Sequence, residues 1–249
     1  MDDALPAPLA DPSAEIAELA RRYGRANGPV MRLVTRLGGR LEDQLQLAPE
    51  GFREQLERTT AQALELSYGI ASYAPDLGAR APMAAVVASG AAGGAGGIAS
   101  ALAELPVTVT LILTAIRAEA RAAGFDPDDP SIRAECLRIF GAGSPLAQDD
   151  GVNTSFFTAR LTLTGQAVQN LIAKVAPRLA AALGQKLAVQ AVPVLGAVSG
   201  AALNAAFLTY YRELARIRFG LLRLAQVHGA ETVLAAFQAA VEPPRLRRA

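Results

Sequence analysis

The sequence predicts an all-α protein, a compact multi-helix domain of about ten helices with a central Gly/Ala-rich helical core. Three observations lead there. Helix-starting and helix-ending residues recur along the whole chain. Apolar residues return at helical spacing between them. Two runs without any charge, Ala81 to Ala103 (23 residues) and Leu187 to Tyr211 (25 residues), repeat small residues every fourth position.

Asp11 and Pro12 read as an N-cap and first turn, opening a helix toward Asn27. Gly28 and Pro29 restart the chain, and Val30, Leu33, Leu37, Leu41 and Leu45 line one face of a second helix. Pro49 begins a third, whose predicted apolar stripe is Phe52, Leu56, Ala63, Leu66 and Ile70. The texture then changes to Ala and Gly. In "ELPVTVTLILTAIRAEARAAG" the alternation of Val107, Val109 and Leu111 suits a strand, but Leu105, Ile112, Ile116 and Ala120 keep helical spacing and Gly124 supplies a stop. Helix is the better reading. Asp129 and Pro130 cap a short helix that Gly141 ends, and "GAGSPLAQDDGVN" is a surface loop. From Thr154 the chain reads as long helices broken near Gly184 and Pro193, with a last helix after Gly229. The expected organisation is residues 1–80 as amphipathic N-terminal helices packed on the main domain, 81–242 as that domain, and 243–249 as a basic tail.

Inside the uncharged runs, Ser89, Gly93 and Gly97 stack on one helix face, as do Gly196, Gly200 and Asn204. Such bare faces are helix seams, into which a neighbouring helix sinks. Glycine costs roughly 1 kcal/mol relative to alanine in a helix, so a run this rich in glycine needs close packing to survive. As a membrane span, Val194 to Tyr211 is short: at 1.5 Å per residue it reaches about 27 Å against a hydrocarbon core of about 30 Å. Core, not bilayer, is the expected place of both runs.

Composition removes several functions. Net charge is +1, from 24 basic and 23 acidic side chains, so the chain carries no broad footprint for nucleic acid. The single Cys136 fits a reducing compartment, and the acidic, Pro-rich opening "MDDALPAPLADPSAE" lacks a basic n-region and an apolar h-region. A cytoplasmic location, peripheral to the inner face of the membrane, is the expectation. One Cys and one His do not assemble an ordinary zinc site, and no metal or cofactor is expected. "GAGGIA" fits a loose dinucleotide pattern but no βαβ series follows it. His228 beside Gly229 reads as a helix-end histidine favoured by the dipole, and Cys136 as a small buried hydrophobe. The acidic cluster Asp126, Asp128 and Asp129 reads as capping and turn chemistry, since the calcium-loop pattern is broken by two prolines.

Arg212, Arg216 and Arg223 share a face opposite Phe207, Leu214, Ile217, Leu221 and Leu224. A basic amphipathic helix of this kind can lie on an anionic membrane surface, aided by Arg245, Arg247 and Arg248, and can equally be a solvated face.

Three blocks resemble the EcsC protein family over residues 88–241: "ELPVTVTLILTAIRAEARAAGFDPDDPSIRAECLRIFGAG", "KLAVQAVPVLGAVSGAALNAAF", and the spacing from there to "ARIRF" and "RLAQVHG". On this resemblance Glu104, Pro106, Gly124, Asp126, Cys136, Phe140, Pro193, Gly196, Gly200, Asn204, Ala215, Phe219 and Arg223 fall on motif positions. The family takes its name from the third gene of a bacterial ABC-transporter operon, and its members are cytoplasmic or membrane-peripheral proteins without an established activity. Many carry a His after the Asn and a Glu after the Arg-Leu step; "TYYRELARIRF" and "RLAQ" have neither, which removes support from a catalytic histidine.

The expected function is a noncatalytic accessory or interaction protein, associated with an anionic membrane surface or a membrane transporter complex. The alternative is an enzyme or binding protein for a lipid or other apolar small molecule. It takes Glu104, Arg117, Asp126 and Asn204 as its polar cluster and requires them to meet in one pocket.

Overall fold

A computed structural model of the chain describes residues 11–26, 50–70, 84–85, 87–89, 97–141, 170–177, 180 and 196–241. The predicted second helix over Val30 to Leu45 lies outside the described residues, as do Gly93, Pro193 and the basic tail. Six helices have defined bounds: α1 Ser13–Ala26, α2 Glu50–Ile70, α3 Gly97–Ala122, α4 Pro130–Gly141, α5 Gly196–His228 and α6 Ala230–Val241. Shorter helical stretches, one comprising 84–85 and 87–89 and one comprising 170–177 and 180, make eight among the described residues, against the ten or so expected, and none of these residues forms a strand.

The ends of the helices follow from their residues. Asp11 Oδ1 accepts hydrogen bonds from the Ser13 amide (2.9 Å) and hydroxyl (2.6 Å), which caps α1. At the end of α3, the Phe125 amide reaches back to the Ala120 carbonyl and the Gly124 amide to Arg121. This pair of bonds needs a left-handed residue, and Gly124 supplies it with φ of 88°. Asp129 Oδ1 then accepts from the amides of Ser131 (2.8 Å) and Ile132 (3.3 Å), so Pro130 enters α4 at the position where no amide is needed. Gly229, with φ of 85°, turns the chain from α5 into α6.

Pro106 lies inside α3. It removes one backbone donor, yet the helix continues through "VTVTLIL". Leu105, Val109, Ile112 and Ile116 are buried on one side while Val107 is exposed, which is helical and not alternating burial. In α2 the stripe differs from expectation: Leu56, Thr60, Ala63 and Leu64 are buried, and Leu66 is 56% exposed. Thr60 tolerates burial because its hydroxyl bonds the Leu56 carbonyl at 2.7 Å.

Two cores form on one helix. The larger gathers α2, α3, α4, Ile172, Val175, Ala176, Ala180 and α5 from Leu203 to Phe219, with Phe140, Phe207 and Tyr211 among its largest buried side chains. Phe140 and Tyr211 pack with ring centroids 5.0 Å apart, and Phe125 of the α3–α4 turn meets Phe219 at 5.7 Å. The smaller core uses another face of α5 toward its end: Ile217, Leu221 and Leu224 meet Ile16 and Leu19 of α1 and Val233 and Phe237 of α6. Leu19 leans on Gly220, whose missing side chain leaves room for its methyls. Every apolar residue of α5 read from the sequence as facing away from its arginines is buried.

Candidate functional site

Four polar side chains converge near the start of α3 and α5. Glu104 Oε1 accepts from Thr108 Oγ1 (2.7 Å), Ser89 Oγ (3.1 Å) and Asn204 Nδ2 (2.5 Å), and Asn204 Nδ2 also lies 3.4 Å from Ser89 Oγ. Asn204 and Thr108 are wholly buried, and Glu104 nearly so. The helical spacing that puts Thr108 four residues after Glu104 places both on the face of α3 that meets α5. Ser89 comes from the Ala-rich stretch before α3, so one carboxylate ties three segments together. Several donors on one carboxylate offset the desolvation a buried acid suffers. Asn204 thus does what a seam amide is expected to do: it bonds across helices and fixes their register.

Thirteen residues further along α3, roughly 20 Å at helical rise, lies a second cluster. Arg117 donates to the Pro127 carbonyl (2.8 Å) and to Asp128 Oδ1 (2.7 Å). Asp126 Oδ1 accepts from the Asp128 amide at 2.9 Å within the same turn. The four residues proposed as a polar cluster therefore form two pairs: Glu104 with Asn204, and Arg117 with the turn that carries Asp126. They do not share one pocket, because Arg117 stands on α3 more than three helical turns beyond Glu104. Each pair does helix-joining work.

Burial shapes the remaining ionisable groups. Cys136 is buried, and desolvation pushes its thiol up to about 12, so it carries no thiolate at neutral pH. Glu135 and Arg218 are both buried and lie 3.1 Å apart across α4 and α5, with Arg138 on the other Glu135 oxygen at 3.1 Å. Desolvation raises the Glu135 carboxyl and lowers the Arg218 guanidinium from their ordinary values, against the pull of their mutual attraction. The Tyr211 hydroxyl is buried, and desolvation drives its ionisation well above the ordinary range.

The arginines of α5 face carboxylates. Arg216 donates through Nε to Glu119 Oε2 and through Nη2 to Glu119 Oε1, both at 3.0 Å, a two-point grip on a nearly buried acid. Arg212 adds a contact of 3.4 Å to the same carboxylate. Glu213 bridges Arg216 and Arg22 of α1 at 3.1 Å each, and Arg223 pairs with Glu15 of α1. Sequence reasoning identified the three arginines and missed Glu119, Glu135, Glu213 and Arg218. Arg218 carried a signal: four residues after Leu214 and three before Leu221, it falls on the apolar side of α5, where a charge needs a buried partner.

Among the described residues no group of three or more His, Cys, Asp or Glu side chains is placed to hold a metal ion. Among the same residues no helix is long and apolar enough to cross a membrane.

The sequence model of the EcsC protein family matches residues 54–224. The chain belongs to the EcsC protein family. The match begins inside α2, earlier than the resemblance over 88–241 suggested, and ends at Leu224, before α6. No curated protein and no solved structure matches the chain significantly. Within the EcsC segment, the motif positions read from sequence fall on structural joints. Glu104 and Asn204 make the α3–α5 knot, Gly124 makes the left-handed turn, Cys136 and Phe140 sit in the larger core, and Phe219 receives Phe125. Gly97 lies in α3 and Gly196 and Gly200 in α5, the two helices that the knot joins.

Proposed function

We propose that this EcsC-family protein is a noncatalytic accessory protein that associates peripherally with the cytoplasmic face of a membrane or with a transporter complex there. The observation that carries the reading is how the polar residues are used. Glu104 and Asn204 bind helices to one another, Arg117 pins a turn, and the Cys136 thiol is held protonated by burial. Catalysis asks for a nucleophile or base poised toward an opening, and these groups are spent inside the fold.

The surface that meets the membrane is the flank of α5 bearing Arg212, Arg216 and Arg223. Their pairing with Glu119, Glu213 and Glu15 lowers the net charge they offer. Contact with phosphates therefore proceeds by exchange of carboxylate partners, and it weakens with salt. Flotation with anionic vesicles tests the reading. Recovery in the lipid fraction at low salt, reduced by an Arg212→Gln, Arg216→Gln, Arg223→Gln triple variant, is the expected result. Equal recovery with and without vesicles contradicts it.

A further inference from the structure

A cleft of about 470 Å³ opens where the two cores meet, between α1, the end of α3 and α5. Its size is that of a small-molecule site, and a seam between two packed units is a common place for one. Sequence reasoning gave no hint of it, because its walls come from residues some 200 positions apart in the chain.

The walls carry both charges: Glu15, Glu18 and Arg22 line it from α1, Glu119 from α3, and Arg216 and Arg223 from α5. Glu18 is already paired with Arg21, Arg22 and Arg25, whereas Glu15 is held by the exposed Arg223. Between those arginines Gly220, with Leu19 against it, leaves an apolar stretch free of competing polar groups. The ion pairs that span the cleft differ in how firmly they are held. Glu119 is 8% exposed and gripped at two points by Arg216, so it stays in place. Arg223 and Glu15 are 49% and 41% exposed. An exposed pair of this sort contributes little to stability, so a ligand can replace it at small cost.

Exchange at that pair selects the ligand. A simple anion taking Arg223 leaves Glu15 facing it, and repulsion opposes binding. A simple cation taking Glu15 strands Arg223. A molecule with both charges satisfies both halves at once. The guanidiniums of Arg22, Arg216 and Arg223 all reach this space and together offer more donors than the two oxygens of a carboxylate use, which favours a phosphoester.

We infer that the cleft binds a small zwitterion joining an ammonium to a phosphoester, with the phosphoester at Arg223 beside Arg216 and the ammonium at Glu15. This chemistry occurs both in free aminoalkyl phosphates and in aminophospholipid headgroups; only the second source rests on the membrane reading above.

Calorimetric titration of the full chain with O-phosphoethanolamine, glycerol 3-phosphate and ethanolamine at low salt tests the inference. O-phosphoethanolamine binds at least about tenfold more tightly than either partner compound, a difference of about 1.4 kcal/mol. Glu15→Gln removes that preference while glycerol 3-phosphate binds no worse, and Arg223→Gln weakens O-phosphoethanolamine; both sites are exposed, so the variants keep the fold. Equal binding of O-phosphoethanolamine and glycerol 3-phosphate, or no O-phosphoethanolamine binding in the millimolar range, overturns the inference. Flotation with phosphatidylethanolamine vesicles separates the sources. Capture lost in Arg223→Gln supports the headgroup. Binding of the free compound without capture supports the free phosphate ester and leaves the inference standing, while the membrane reading stands or falls on flotation with anionic vesicles.

Discussion

The two cores that share α5 are built on different rules. In the larger, big aromatic rings pack beside buried polar ties: the Glu104–Asn204 knot and the Glu135–Arg218 pair. In the smaller, seven apolar side chains suffice, and charge is kept to the rim, in Arg22–Glu213 and Arg223–Glu15. The larger core holds most of the described EcsC segment, whereas α1 and α6 lie outside residues 54–224 and use the far half of a family helix as their platform. Buried polar ties fix register where helices with small side chains would otherwise slide. Where Leu19 locks against Gly220, shape already sets the register and charge is not needed inside.

The contrast can be broken from its larger side. Phe140→Ala removes a fully buried ring packed on Tyr211, and a loss of about 3–5 kcal/mol is expected in denaturant unfolding. Asn204→Leu takes one donor from a buried carboxylate and is expected to lose about 1–3 kcal/mol. The circular-dichroism melt of each variant reports on the larger core. Gly124→Ala meets no atom within 4 Å of the new methyl, so its loss of about 1–2 kcal/mol comes from the left-handed backbone alone.

The smallest effect concerns pH. Hydrogen bonds from Ser131 hold the Asp129 carboxyl below its ordinary value. A carboxyl lowered in the folded state stabilises above the unfolded pKa and loses that contribution as pH falls through the folded value. Asp129→Ala should therefore destabilise by about 1 kcal/mol at neutral pH, and the gap between variant and parent should close in acid. Unfolding curves taken from pH 7 downward check both points.

Much of the fold was legible because local chemistry repeats the global answer. Asp11, Asp129, Gly124 and Gly229 mark helix ends by side-chain type alone, and the stripe of Leu105, Ile112, Ile116 and Ala120 showed which face of α3 is buried. Leu66 misled because an apolar residue at the edge of a stripe can face solvent without large loss. Asn204 was readable as a seam amide, but its partner was not: hydrogen bonds between residues 100 positions apart leave no spacing in the sequence. The same holds for the arginines. Their shared face follows from helical periodicity, whereas Glu119 and Glu15, which neutralise them, arrive from other helices.

The central claim is that α1 and α6 form a core separable from that of α2, α3 and α4, although both grow on α5. Hydrogen exchange measured residue by residue on Phe237→Ala tests it most directly, because Phe237 is buried in the smaller core and touches Tyr23 of α1. The account predicts that amides of α1, α6 and the last turns of α5 lose protection while those of α3 and α4 keep theirs. Loss of protection in all of these helices together would contradict it.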